Sequence, residues 1–365
     1  MIIDELNELA SSLGFDALGI APVEPVGGGW FAPHRERFEA WLNRGDHGEM
    51  KWMADRAHER VVPAALLPDV RNAIILWMNH RTAQPPGPSY ATGRVAAYAW
   101  GRDYHNVVRK AVRKFERALR ARFAGFDRYI SVDTGAVLER AFGERAAIGW
   151  IGHSTMLINQ SYGTFGSIAA VFTNLDLPYS DDAHPQRCGT CRDCVTACPT
   201  DALSDTGLDA RKCISYWTIE HRGLIPTHMR TAIGDWVFGC DICQDVCPWN
   251  RKAPRAPASI WQPKREHIHP DLMAWLNTPS ETLANTLLGS PLRRARGEGL
   301  RRNALIVLAN TGQTSALSVI KHLAATDPDP VIRATAVWAA RQLGDTSVCV
   351  TARDDAHEMV RAEAD

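Results

Sequence analysis

The strongest constraint on this chain is the spacing of its cysteines. Eight of the nine lie between Cys188 and Cys247. The first four read Cys188-x2-Cys191-x2-Cys194-x3-Cys198-Pro199, the ligand run of bacterial ferredoxins that hold cubane iron–sulfur clusters. A stretched copy follows, with Cys213 alone and then Cys240-x2-Cys243-x3-Cys247-Pro248. Three cysteines so spaced wrap one face of a cluster. The fourth ligand arrives from the other run, because the cysteine before proline serves the partner cluster. The spacing thus assigns Cys188, Cys191, Cys194 and Cys247 to one [4Fe–4S] cluster, and Cys213, Cys240, Cys243 and Cys198 to a second. Zinc sites also use C-x2-C pairs, but without this cadence twice over. A disulfide framework belongs to short secreted chains. Cys349, near the end, reads as a small apolar filler in a helix.

At 365 residues the chain has room for two or three domains. Lys plus Arg and Asp plus Glu both total 41, so net charge says nothing about partners. Distribution says more. Arg293, Arg294, Arg296, Arg301 and Arg302 crowd one ten-residue window, which fits either a solvated helix start or a contact to an anionic partner. No run approaches a membrane span, and no basic-then-apolar leader opens the sequence. Clusters without disulfides point to a reducing cytoplasm.

Taken in order, residues 2–14 carry helical apolar spacing with Gly14 as a stop, and Phe15 to Ala21 reads as a strand. The triple glycine at 27–29 lacks the spacing of a phosphate loop and reads as a turn. Helices are expected at 35–44 and 48–57, a buried strand at 73–78, a Pro-rich loop at 84–88 and a strand from Gly93 to Tyr98. The segment 106–122 is an amphipathic helix with Val107, Val108, Val112, Phe115 and Leu119 inward. A strand from Phe126 delivers Asp133 at its end, followed by a helix at 136–146. The segments Ile148–Gly152 and Ser154–Asn159 follow, and Ser167 to Thr173 closes the sheet. The irregular alternation gives an α/β or α+β reading for residues 1–180. The cysteine domain spans 181–255, and 256–365 turns helical. There Leu300–Leu308 and Val331–Ala339 repeat a pattern with Arg302 and Arg333 in register, a HEAT-like pair of helical hairpins. Asp327-Pro-Asp-Pro330 signals the start of the second.

Clusters alone shuttle electrons, so the first domain should hold what receives them. Val132-Asp133-Thr134-Gly135 puts a carboxylate at a strand end in a Gly-bounded turn, where it serves either as a proton donor or as a cap for the next helix. Glu139, Arg140, Glu144 and Arg145 suggest ion pairs. His105, in Asp-Tyr-His, suits a hydrogen-bonded histidine better than a ligand, and Tyr162-Gly163 a plain turn.

These segments together resemble epoxyqueuosine reductases: Val132-Asp-Thr-Gly135, Glu144-Arg-Ala-Ala-Ile-Gly149, Trp100-Gly-Arg-Asp-Tyr-His105, both cysteine runs, Cys213-Ile-Ser215 and the HEAT-like tail, in order across nearly the whole chain. The resemblance implies a cobalamin-binding, nitroreductase-like first domain, a ferredoxin-like domain with two [4Fe–4S] clusters, and a helical tail that binds tRNA. It implies removal of the epoxide oxygen of epoxyqueuosine at the tRNA wobble position, the last step to queuosine. Asp133 matches the family's proton donor. Arg60, Ala96, Asp133, Leu157, Ile168, Ser215, Cys240 and Asp241 match positions around the corrin of cob(II)alamin. The chain departs from the family at His153, where a lysine is common. The implied partners are the anticodon stem-loop and a low-potential electron donor, around a cytoplasmic monomer.

The chemistry asks for a protonated Asp133, its pKa raised by burial. Arg293, Arg294, Arg301, Arg302 and Arg333 are the cations expected to meet tRNA phosphates. Two rivals remain: a corrinoid reductase of small molecules such as a dehalogenase, and a ferredoxin-type carrier that binds no corrin.

Overall fold

The computed structural model describes residues 2–24, 29–83, 91–179 and 183–365. Gly27 and Gly28 of the triple glycine and the Pro-rich loop at 84–88 lie outside the described residues, as does the 180/181 boundary. The chain forms two compact units.

The first unit comprises Met1–Ala83, Tyr104–Arg211 and Ile242–Trp261. Its helices are α1 (Ile2–Ser12), α2 (Ala32–Asn43), α3 (Lys51–Asp55), α4 (Ala57–Val61), α5 (Tyr104–Arg122) and α6 (Glu139–Arg145). Its strands are β1 (Ala17–Pro22), β2 (Asn72–Asn79), β3 (Arg128–Ser131), β4 (Trp150–Ile151), β5 (Leu157–Ile158) and β6 (Gly166–Thr173). The main sheet runs β1-β2-β6-β3, antiparallel throughout, so the fold is α+β. Every residue of β2 is buried, because the sheet is covered on both faces. Ile74, Leu76 and Met78 point to the layer of α1 and α5, while Ala73, Ile75 and Trp77 point to that of α6, the two-residue period of a strand. All five α5 residues expected to face inward are buried. At roughly 1.5–3 kcal/mol per fully buried large apolar side chain, that one face contributes strongly to docking the helix.

The expected last strand, β6, lies inside the sheet between β2 and β3 and does not close it. The strand expected from Gly93 to Tyr98 shrinks to Arg94–Val95, followed by a 3-10 turn at Ala97–Ala99.

The second unit comprises Gln84–Asp103, Lys212–Asp241 and Gln262–Asp365. The helices Arg296–Asn310 and Pro330–Gln342 pack together as the repeat pair. Asp329 caps the latter by accepting from the Val331 N–H at 2.8 Å, with Pro330 in its first turn. Cys349 is a buried helix residue. The two units interleave along the chain, each drawing on all three of the expected segments 1–180, 181–255 and 256–365. Lys212–Asp241 leaves the cysteine segment and joins the helices, for a hydrogen-bonding reason. The helix Ile214–Ile219 ends with carbonyls that need donors. Arg302 donates to the carbonyls of Trp217, His221 and Gly223, and Asn303 to those of Thr218 and Val237, at 2.7–3.0 Å.

Candidate functional site

Two arrangements in the first unit carry chemistry. The first is a cavity of about 240 Å³ lined by Cys188, Cys191, Cys194 and Cys247, with His153, Asp193 and Trp249 around them. Two short helices, Asp193–Thr196 and Ile242–Asp245, pack on each other and bring the runs together. Each is stopped by the Cys-Pro step, since proline cannot continue the hydrogen-bond ladder. Buried Asn250 fastens the second run: its Nδ2 donates to Gln244 O at 2.6 Å and to Thr164 Oγ1 at 2.9 Å. Gly163, read as a plain turn, is required there. Its φ is +73°, and a Cβ would stand 1.9 Å from Asn250 Oδ1.

Burial pushes the Cys194 and Cys247 thiols up, and neighbouring cysteine sulfurs add to the shift. Four soft donors around a volume suit a polynuclear iron–sulfur group, whose positive irons hold thiolates in place. Among the described residues no three His, Cys, Asp or Glu side chains form a site for a single metal ion. Of the other four cysteines, Cys198 and Cys243 belong to the first unit, and Cys213 and Cys240 to the second.

The second arrangement surrounds Asp133. The Thr134 N–H donates to Val132 O at 2.7 Å across Asp133, whose φ is +61°. That is a γ-turn with a left-handed centre, a rare and strained conformation. Asp133 is not the cap of α6, which starts after Leu138 without a side-chain cap. Its Oδ2 accepts from the Tyr104 hydroxyl at 2.5 Å and lies 3.2 Å from His105 Nε2, the two rings stacked at 4.0 Å. Burial pushes the Asp133 carboxyl up, but the His105 and Tyr104 hydrogen bonds and the charge of Arg140 outweigh it. Burial is the largest single influence, and the opposing contacts outweigh it only together. The carboxyl sits below its usual range, against the raised value expected from the sequence.

The raised carboxyl is Glu139. Burial pushes it up to about 7, the Ser131 hydroxyl bond at 2.6 Å opposes this, and the Asp133 charge reinforces it. Glu139 thus accepts from a hydroxyl where an ion pair was expected. Glu144 approaches His34 at 3.5 Å, but burial lowers His34 to about 4, so that contact is not a charge pair near neutral pH. Arg140 donates to Thr155 O and Arg145 lies over the Tyr179 ring.

Arg60 is buried. Its Nη1 donates to Gly135 O at 3.2 Å, its guanidinium lies over Trp52, and its Nε has no hydrogen-bond partner among the described residues. Leu157 is core, packed against Gly143 and paired with Ile151 across β4 and β5, and Ile168 is half-buried on β6. In the second unit, Ala96 and Asp241 come together: the Ala96 N–H donates to Phe238 O, and the Ala97 N–H to Asp241 Oδ2 at 2.6 Å. Ser215 is half-buried on the helix after Cys213.

The basic window needs correction. Arg302 is 1% exposed, and Arg301 pairs with buried Asp327 at 2.7 Å. Arg333 pairs with Asp355, and Arg294 with Glu220. Burial and pairing take Arg301 and Arg302 away from any phosphate, while Arg293 stays exposed. Tyr104 and Glu139 are the functional candidates that sequence reasoning missed. The Asp-Tyr-His motif was the signal for Tyr104, but nothing local marks the burial of Glu139.

Fold and site together define a two-cluster iron–sulfur protein with an α+β unit and paired helical repeats. Residues 187–250 match the family model of the 4Fe–4S double cluster binding domain, and 287–364 that of HEAT repeats. Residues 60–134 match epoxyqueuosine reductase QueG. The epoxyqueuosine reductase of Pseudomonas aeruginosa is 35% identical over 356 residues, covering 94% of this chain and 95% of the relative. That of Cyclobacterium marinum is 36% identical, covering 82% and 94%. The chain belongs to the epoxyqueuosine reductase family. A crystal structure of an epoxyqueuosine reductase with an epoxyqueuosine-modified tRNA-Tyr stem loop superposes with a TM-score of 0.88 at 28% identity, covering 100% of this chain and 96% of that one. The Bacillus subtilis enzyme, with its catalytic aspartate loop swung out of the active site, gives 0.90 at 27% identity, covering 100% and 97%.

Proposed function

We propose that this protein is an oxidoreductase that removes the epoxide oxygen of epoxyqueuosine in tRNA to give queuosine. The carrying observation is the strained turn that holds Asp133 against Tyr104 and His105, in the unit that also gathers four cluster cysteines. Converting an epoxide to an alkene breaks two C–O bonds and consumes two electrons and two protons, with water leaving. The two [4Fe–4S] clusters pass electrons singly.

Cobalamin fits the first unit on one specific point, the orphaned buried Nε of Arg60, which suits an acceptor of the corrin periphery. When bound, it supplies a cobalt centre reducible enough for two-electron chemistry. Arg60, with Leu157 and the apolar side of Ile168, would hold it. Ala96, Ser215, Cys240 and Asp241 keep the assignment that family resemblance implies.

Asp133 manages the proton at the epoxide oxygen. Because its carboxyl is ionised in this arrangement, the proton reaches it through the Tyr104 and His105 contacts at Oδ2, where a donor is already aligned. Arg60 and Ser131 brace the turn from either side, through Gly135 O and Glu139. The wobble base leaves its stack to be reached, as single-stranded RNA loops allow. The electron donor is a low-potential carrier, and the enzyme works as a cytoplasmic monomer. No described helix is long and apolar enough to cross a membrane.

Anaerobic reconstitution tests the reading. Iron near eight per chain, cobalt uptake with altered corrin bands, and conversion of an epoxyqueuosine-bearing stem loop are expected. Full iron loading without corrin uptake would leave only an electron carrier.

A further inference from the structure

Trp150 has no exposed surface, and its indole N–H donates to Cys188 Sγ at 3.4 Å. A buried N–H without an acceptor costs roughly 1–3 kcal/mol, and here the acceptor is a cluster ligand. The placement is built from several sides. The ring is stacked on His184 at 5.0 Å and met edge-on by Trp249 at 4.8 Å. Gly152, two residues along the extended chain and so on the same side, lies against the same sulfur. A Cβ there would stand 3.2 Å from Cys188 Sγ and 2.5 Å from Ile158 Cδ1. Gln186 ties both segments, donating to Ile151 O at 2.9 Å and accepting from the Cys188 N–H at 3.0 Å.

We propose that Trp150 is a positioning residue for electron transfer, raising the reduction potential of the cluster held by Cys188, Cys191, Cys194 and Cys247. Reduction adds one electron from the external donor, with no bond made or broken and no proton moved. Part of the new charge resides on the ligand sulfurs. An N–H dipole aimed at Cys188 Sγ stabilises that more negative state over the oxidised one. The Trp150 contact is made to one cluster of the two, so removing it should move one potential and leave the other in place. The inference rests on the two-cluster reading and is independent of cobalamin and tRNA.

The test is a redox titration of reconstituted Trp150→Phe followed by electron paramagnetic resonance, after iron analysis. One cluster should lose about tenfold in its reduced-to-oxidised ratio at a given potential, about 59 mV for a one-electron couple, while the other holds. His184→Leu, which removes the stacking partner but keeps the N–H, should leave both potentials in place. Unchanged potentials in Trp150→Phe, or equal shifts in both variants, overturn the proposal. Should Trp150→Phe lose iron, wild-type protein carrying 15N-indole tryptophan decides. Its reduced cluster should show hyperfine coupling to an indole nitrogen, and absence of that coupling overturns the proposal. Wild-type protein without the expected iron would count against the two-cluster reading itself.

Discussion

At the scale of single residues, the site is a balance of strain and charge. Asp133 is held at φ +61°, which costs on the order of 1–3 kcal/mol for a non-glycine residue and is retained by contacts to Tyr104 and His105. Asn tolerates left-handed backbone nearly as well. Asp133→Asn should therefore fold and load iron and cobalt like wild type, while stem-loop turnover falls at least a hundredfold, the low end of general acid catalysis. Loss of cofactor together with turnover would point to a structural role. Glu139 makes a separate prediction. Its folded pKa of about 7 lies above the ordinary glutamate value of 4.5, so between those values the unfolded chain releases a proton that the folded chain keeps. Stability therefore falls as pH rises from about 4.5 to 7 and levels off above. Melting curves of Glu139→Gln should lose that slope, and an unchanged slope would remove Glu139 as its source.

At the scale of elements, the burial of Arg302 and the grouping of Lys212–Asp241 with the helices share one reason. Arg302 and Asn303 look like the polar start of a repeat helix, yet they turn inward to carbonyls at the end of the helix Ile214–Ile219 and in the turn that follows it. Removing Arg302 takes the guanidinium donor from three carbonyls, two of them in buried contacts, at roughly 1–3 kcal/mol each. Arg302→Met should lower chemical stability by about 3 kcal/mol or more, read from denaturant midpoints, whereas exposed Arg293→Met should change it by less than about 0.5 kcal/mol. Equal effects would mean that the buried network contributes nothing. The strands and helices themselves were largely legible. The α5 face and the alternation of β2 follow from periodicity, because burial of an apolar face is written locally.

At the scale of the whole molecule, two consequences follow. The cysteine runs of the first unit carry helices of only four residues, too short to be stable alone, so ligation by clusters is folding energy for them. Stripping iron under chelator should expose residues 183–211 to protease well before the main sheet, and equal protection with and without iron would argue otherwise. Recognition of tRNA depends on cations that remain available. Arg293→Glu should weaken stem-loop binding and flatten the dependence of log K on log salt by about one. An unchanged slope would return Arg293 to the solvated surface.

The sequence by itself determined the cluster chemistry, since ligand spacing along eight cysteines is a local property and survives any packing. It also determined the elements whose periodicity is long, the repeat pair, and Asp133 at a strand end. Only the tertiary structure decided which carboxyl is protonated near neutrality, because desolvation at Glu139 and hydrogen bonds at Asp133 come from residues distant in sequence. It likewise decided which arginines face solvent, because the acceptors that claim Arg302 lie some eighty residues earlier. A charge is visible in a sequence; its solvent and its partners are not.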